Sequence, residues 1–273
     1  MEREGYFTTR DGLKLRYLRR GKGRPVVMLH GFAEGAEVWD FLLPHLDGPW
    51  QIFAIDQRGH GLSDRAPEGH YTTFHFVGDI EDFAITLGLQ KFSLVGHSMG
   101  GRNALVYAAL HPHRVERLVV IDYGPELAAE GRRRIVRALK TRRDIFPLEE
   151  MIQAFIEENP RLDRPKAEAL LRRICKPLGN GLWSWRCDLR LLQAIREGRR
   201  VLRDVDLWEF IPRVKCPALL LRGAESDLLR PEGAKKMAEA MVDCRVVEIP
   251  EAGHAVPVDN PQATSSAIVH FLS

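Results

Sequence analysis

Six apolar runs of strand length punctuate this chain: PVVMLHG (25–31), WQIFAIDQRG (50–59), FSLVGHS (92–98), VERLVVIDYG (115–124), CPALLLRGAES (216–226) and CRVVEIPEAG (244–253). None alternates apolar with polar residues. Strands covered on both faces read this way, because neither side meets water. Helical stretches separate most of the runs, and strand alternating with helix implies a parallel sheet with helices on both sides. With 273 residues, 45% of them hydrophobic, the chain can bury one large α/β core. Ahead of the runs, GYFTTRDGLKLRYLRRG (5–21) reads as a hairpin turning at Asp11 and Gly12. The hairpin and the six runs predict a mostly parallel, eight-stranded sheet.

The alternation breaks once. Between DYGP (122–125) and CPALLL (216–221) lie about 90 residues with helical periodicity, as in RRRIVRALKTRRD and PLEEMIQAFIEEN, and no convincing strand. A structureless loop of that length is unusual in a compact domain. The expected organisation is therefore a core of residues 1–125 and 210–273, with a helical cap inserted at 126–209. The cap covers the carboxyl edge of the sheet, where open α/β sheets bind ligands. The insertion holds 19 Lys and Arg against 14 Asp and Glu, a net of +5, which leaves about −2 for the rest of a chain whose total is +3. Such an Arg-rich stretch reads as a solvated helical face. The modest net charge gives no reason to expect nucleic acid as a partner.

One run carries chemistry. In LVGHSMGGRNAL (94–105), Ser98 stands where the strand FSLVG turns into the helix GRNALVYAALHP, which presents Ala104, Leu105, Ala108 and Ala109 on one face. Gly96, Gly100 and Gly101 leave room for a sharp turn. A hydroxyl raised on such a turn, at the positive end of a helix, suits a nucleophile.

The chain resembles the α/β-hydrolase fold family over nearly its whole length. The resemblance rests on HGF (30–32) after a strand, DQRGHGLSD (56–64), GHSMGG (96–101), RGAESDLL (222–229) and EAGHAVPVDNP (251–261), in that order. It implies a catalytic set in the order serine, acid, histidine. Ser98 is then the nucleophile and needs a base, because a free hydroxyl is a weak nucleophile near neutral pH. His254, in the loop after the last strand, takes that role. His97 and His30 are read as architectural. The acid that orients the imidazole is Asp227, past the strand PALLLRGAES, where the family most often places it. Asp122, at the end of the preceding strand, is the competitor; if it is not the acid, it anchors the turn into the cap. By the same resemblance, the backbone amides of Phe32 and Met99 form the oxyanion hole, and their side chains supply apolar wall to the substrate site. Arg58 and Asp64 hold backbone turns. In LWSWRCD, Trp183 and Trp185 either pack the cap or line the acyl pocket, and they are carried forward as substrate-binding residues.

These residues predict a serine hydrolase, with no cofactor, that cleaves carboxylic esters of small to medium acyl chains. Lactonases and carbon–carbon bond hydrolases share the residue set, and substrate choice lies in the cap. A ligand receptor with vestigial turnover is the alternative of another class. No nucleotide-binding glycine motif occurs. Cys175, Cys187, Cys216 and Cys244 show no CxxC spacing and read as reduced, partly buried thiols rather than metal ligands; Asp56, His60 and Asp64 make a poor metal set. No run reaches transmembrane length, and the charged N-terminus has no apolar core of a signal peptide, so the expected setting is the cytoplasm, away from membranes. The partner expected is a small-molecule ester; the oligomeric state is open.

Overall fold

The computed structural model describes residues 3–159, 161–199 and 204–273. Eleven strands occur among them. Eight form the central sheet: β1 (Arg3–Thr8), β2 (Lys14–Gly21), β3 (Arg24–Leu29), β4 (Trp50–Ile55), β5 (Phe92–His97), β6 (Val115–Ile121), β10 (Ala218–Gly223) and β11 (Cys244–Ile249). The order across the sheet is β1-β2-β4-β3-β5-β6-β10-β11. β2 pairs antiparallel with both β1 and β4, while every pairing from β4 to β11 is parallel. The N-terminal hairpin closes through residues 9–13 rather than a two-residue turn, with the Thr9 hydroxyl accepting from the Leu13 amide.

The uniform apolarity of the central strands has a simple cause. Neighbouring residues on one strand enter two different cores. Met28, Ala54, Val95, Val119, Ile121, Leu219 and Leu221 face one; Val27, Leu29, Phe53, Leu94, Val120 and Leu220 face the other. The second core is closed by α1 (Thr73–Thr86) and α2 (Met99–Leu110). From Met99 to Ala109 every residue of α2 is buried, which explains its small, alanine-rich sequence. The first core is closed from below by the C-terminal helix, whose Ile268, Phe271 and Leu272 pack on it.

Between β6 and β10 lies the insertion. It contains α3 (Ala129–Thr141), β7 (Ile145–Pro147), α4 (Leu148–Glu158), α5 (Arg164–Ile174), β8 (Cys175–Gly179), β9 (Leu182–Trp185) and α6 (Leu189–Arg196). Residues 160 and 200–203 of the expected cap, and residues 1–2 of the expected core, lie outside the described residues. The three short strands form an antiparallel sheet in the order β7-β9-β8, where the sequence suggested helix alone. The turn Gly179-Asn180-Gly181, with all three residues at positive φ, folds β8 onto β9; that glycine–asparagine–glycine signal for a tight turn was legible. After β10 follow α7 (Pro231–Glu239), and after β11 α8 (Val256–Asp259) and α9 (Pro261–Leu272). No helix among the described residues is long and apolar enough to cross a membrane.

Candidate active site

The segments that follow β3, β5, β6 and β11, with one cap helix, build the site. At the end of β5 the chain reverses into α2, and Ser98 takes φ 52° and ψ −116° at the join. This left-handed backbone is strained for a residue with a Cβ, and such strain persists only where surrounding structure enforces it. Here the Ser98 amide donates to Ile121 O (3.0 Å) and the Arg102 amide to Ser98 O (3.0 Å). The glycines are steric necessities. A Cβ on Gly96 would lie 2.3 Å from Gly100 O, and one on Gly100 would lie 2.1 Å from Leu29 O.

Ser98 Oγ lies 3.0 Å from His254 Nε2. His254 Nδ1 lies 2.8 Å from Asp122 Oδ2. Since a carboxylate only accepts, Nδ1–H is the donor, and Nε2 is left to accept the Ser98 proton. Asp122 is fully buried and holds φ 49° just past β6. Its carboxylate also accepts from the Ser226 hydroxyl (2.6 Å) and the Gly223 amide (3.2 Å), both supplied by the end of β10. The strand that was expected to provide the acid thus provides hydrogen-bond donors to Asp122.

Asp227 is not the partner of His254. Its carboxylate forks onto Arg134 of α3, with Nε at 2.7 Å and Nη2 at 2.9 Å. Its carbonyl accepts from the Gly131 amide (3.1 Å). The Arg134 hydrogen bonds hold the Asp227 carboxyl below its ordinary value. The physical reason for the correction is direction: Ser226 turns inward to Asp122, so the next side chain faces outward to the cap. Asp122 takes the place beside His254 that was expected of Asp227, and Asp227 pairs with the insertion.

Residues 31–34, after β3, approach Ser98 from the other side. Ala33 holds φ 61°, and the Gly31 amide donates to Glu34 Oε2 (2.7 Å). Glu34 also faces His97 Nδ1 at 3.4 Å, while His97 Nε2 contacts His254 O at 2.9 Å. Burial pushes the Glu34 carboxyl up, but the charge of His97 and the hydrogen bonds it receives outweigh burial and bring it down to about 2. Burial alone lowers the His97 imidazole; Glu34 outweighs it and raises the value. Glu34 was not singled out from sequence. The pair ties the loop of Phe32 to the loop of His254. Among the described residues, the amides of Phe32 and Met99 have no hydrogen-bond acceptor. His30 is architectural: Nε2 accepts from the Gln57 amide at 3.0 Å. Asp56 is engaged by Arg16 and by the Ala36 and Leu62 amides, Arg58 pairs with Asp79 and Asp11, and Asp64 accepts from the Lys14 amide.

A cavity of about 700 Å³ opens over Ser98. Phe32 and Met99 line it beside the serine, and α3 roofs it with Ile135, Val136 and Leu139. Trp183 and Trp185 are not among the described residues that line it. Trp185 is buried in the cap, 5.1 Å from Phe146 between ring centroids, with its Nε1 donating to Arg143 O (2.9 Å). Trp183 lies on β9 with the Arg172 guanidinium 5.4 Å from its ring. Both are corrected from substrate-binding to packing residues, because β9 carries them into the small cap sheet rather than toward the core.

The comparisons with known proteins bear on the fold. A family model described as alpha/beta hydrolase fold matches residues 24–149. A 2-(acetamidomethylene)succinate hydrolase of Mesorhizobium japonicum is 30% identical over 263 residues, covering 95% of this chain and 92% of the relative. The chain belongs to the α/β-hydrolase fold family. A serine hydrolase-like protein of Danio rerio is 31% identical, covering 92% of this hydrolase and 82% of the relative. The crystal structure of an E-2-(acetamidomethylene)succinate hydrolase superposes with a TM-score of 0.85 at 28% identity, covering 99% of this hydrolase and 98% of that chain.

The four cysteines of the hydrolase are free; Cys175, Cys187 and Cys216 are buried and Cys244 is half-buried. Burial pushes the thiols of Cys175 and Cys187 up to about 12, and those of Cys216 and Cys244 up to about 11. Thiols so raised stay protonated and unreactive near neutral pH.

Proposed function

We propose that this hydrolase cleaves carboxylic esters of small to medium acyl chains through an acyl-enzyme on Ser98. The observation that carries the reading is the unbroken hydrogen-bond chain Ser98 Oγ–His254 Nε2 and His254 Nδ1–Asp122 Oδ2. Ser98 Oγ attacks the ester carbonyl carbon, and its proton passes to His254 Nε2. The negative charge of Asp122 stabilises the imidazolium and holds its tautomer. The Phe32 and Met99 amides receive the oxyanion, which fits their lack of an internal acceptor. As the tetrahedral intermediate collapses, His254 returns the proton to the departing alkoxide and the alcohol leaves. Water then attacks the acyl-enzyme, giving up a proton to His254, and the acid is released as Ser98 recovers its proton.

The test is turnover of p-nitrophenyl acetate and butyrate, with a lactone and a vinylogous diketone beside them. Ester turnover through many cycles is expected, and Ser98→Ala is expected to lower it about 10³-fold or more with the fold intact. A single burst ending in a stable adduct would favour a receptor. Faster cleavage of the lactone or the diketone would move the activity to those classes. More than about a tenth of the rate left in Ser98→Ala would remove the serine from the role.

A further inference from the structure

The cavity over Ser98 is lined by basic side chains without a single Asp or Glu among its described lining residues. Arg102 and Arg132 are the two that matter. Arg102 belongs to α2, one turn after Ser98, and only 2% of its surface is exposed. Its Nη2 donates to the neutral amide oxygen of Asn103 (2.9 Å), and burial lowers its pKa. Arg132 belongs to α3, and its Nε is buried with no hydrogen-bond partner among the described residues. Arg102, Tyr123 and Arg132 line both this cavity and an adjoining one of about 400 Å³.

Carboxylates nearby have partners of their own, though the charge of Asp204 also acts on Arg102. Asp204 binds the amide and hydroxyl of Thr73, Glu126 pairs with Lys236, and Asp206 accepts from the Trp208 amide. On the insertion, Arg134 and Arg142 have Asp227 and Glu158. Arg132, Arg133, Arg137 and Lys140, which line the cavity, have no carboxylate partner among the described residues. An uncompensated buried donor on a cation is costly, and a charged hydrogen bond to an anion removes that cost.

We propose that the substrate carries a free carboxylate, bound by Arg132 and Arg102 beside Tyr123, while its ester carbonyl lies at Ser98. The substrate class is the half-ester of a dicarboxylic acid. This rests on the reading of Ser98 as the nucleophile. The exposed Arg133, Arg137 and Lys140 at the cavity add a field that draws anions in.

The probes are monoethyl glutarate and diethyl glutarate, which differ in one charge. Binding is measured by calorimetry on Ser98→Ala, and turnover on the wild type. The half-ester is expected to bind at least about tenfold more tightly than the diester, the scale of one charged hydrogen bond. It is also expected to show the higher kcat/KM by about the same factor. Adding Arg132→Gln is expected to bring the binding ratio near one. Equal binding of the two probes to Ser98→Ala overturns the anion site, whether or not the Arg132 variant folds. A preference kept in a folded Arg132→Gln protein overturns the assignment to that side chain. If the half-ester binds preferentially but neither probe is turned over, the anion site stands and the hydrolase reading fails.

Discussion

Asp122 Oδ2 stands 2.8 Å from His254 Nδ1, with the carboxylate fully buried and the imidazole partly exposed. Ser226 and Gly223 hold the same carboxylate from the next strand. Removing its charge while keeping its shape should therefore act on chemistry. Asp122→Asn is expected to lower kcat for a p-nitrophenyl ester by at least about 10²-fold, and toward 10⁴-fold if the wrong imidazole tautomer is also favoured. Asp227→Asn is expected to lower it by less than about tenfold. Steady-state rates of the two folded variants check this; a larger loss from Asp227→Asn would reverse the assignment.

The Asp227–Arg134 pair is partly exposed at both ends. An ion pair of that kind contributes roughly 0–1 kcal/mol. Arg134→Ala is expected to change stability within that range and to speed proteolysis of the segment around α3 more than it lowers the melting temperature. Unchanged proteolysis would mean that the pair does not hold the cap.

The Glu34–His97 pair gives a pH signature. Glu34 is brought down to about 2, so its stabilisation is present above the ordinary carboxylate value of 4.5 and is lost as pH falls toward 2. His97 is raised, so its stabilisation is present below 6.5 and is lost as pH rises through its folded value, above 6.5. Both hold between about pH 4.5 and 6.5. Glu34→Gln is expected to be most destabilising in that window, by about 2–4 kcal/mol. Urea unfolding of both proteins from pH 3 to 9 measures the difference; one that does not vary with pH would contradict the pairing.

His60 predicts an acid limit. Burial pushes its imidazole down to about 3, its Nδ1 contacts the Arg58 carbonyl at 2.9 Å, and its Nε2 has no partner among the described residues. Between about pH 3 and 6.5 the unfolded chain binds a proton that the folded chain refuses. Stability therefore falls as pH drops through that window, by about 1.4 kcal/mol per pH unit for this one group. His60→Gln is expected to make the slope shallower by about one proton. An unchanged slope in a folded variant would show that His60 takes up its proton in the native state.

Trp185 predicts a stability effect rather than a change of substrate. Packed on Phe146 and Phe155, it fills the cap core. Trp185→Ala is expected to cost about 3–5 kcal/mol and to leave the ratio of acetate to butyrate rates near that of wild type, provided the cap stays folded. Leu139→Ala, in the cavity wall, is expected to shift that ratio toward the longer ester. The reverse pattern would return the tryptophan to the acyl pocket.

What the sequence carried was what neighbouring residues decide. The central strands were legible because they alternate between two apolar cores, and the turn at Ser98 because Gly96 and Gly100 have no room for a Cβ. The acid was not legible. Asp122 and Asp227 follow adjacent strands, and the choice between them depends on the left-handed backbone of Asp122 and the inward turn of Ser226. The arginines of α3 read as a solvated face, yet Arg132 keeps a buried Nε with no partner among the described residues, on a helix that roofs a cavity. Glu34 gave no signal, since its partner His97 is 63 residues away.

The most direct measurement of the central claim is covalent labelling. The protein is treated with a fluorophosphonate ester, digested, and the modified peptide is identified by mass spectrometry. A serine activated by His254 attacks phosphorus, expels fluoride and keeps the phosphonyl group. The account predicts one adduct per chain, on Ser98, with none in Ser98→Ala and much slower labelling in Asp122→Asn than in Asp227→Asn. Labelling of Ser98→Ala at the wild-type rate, or an adduct on another residue with Ser98 unmodified, would contradict it.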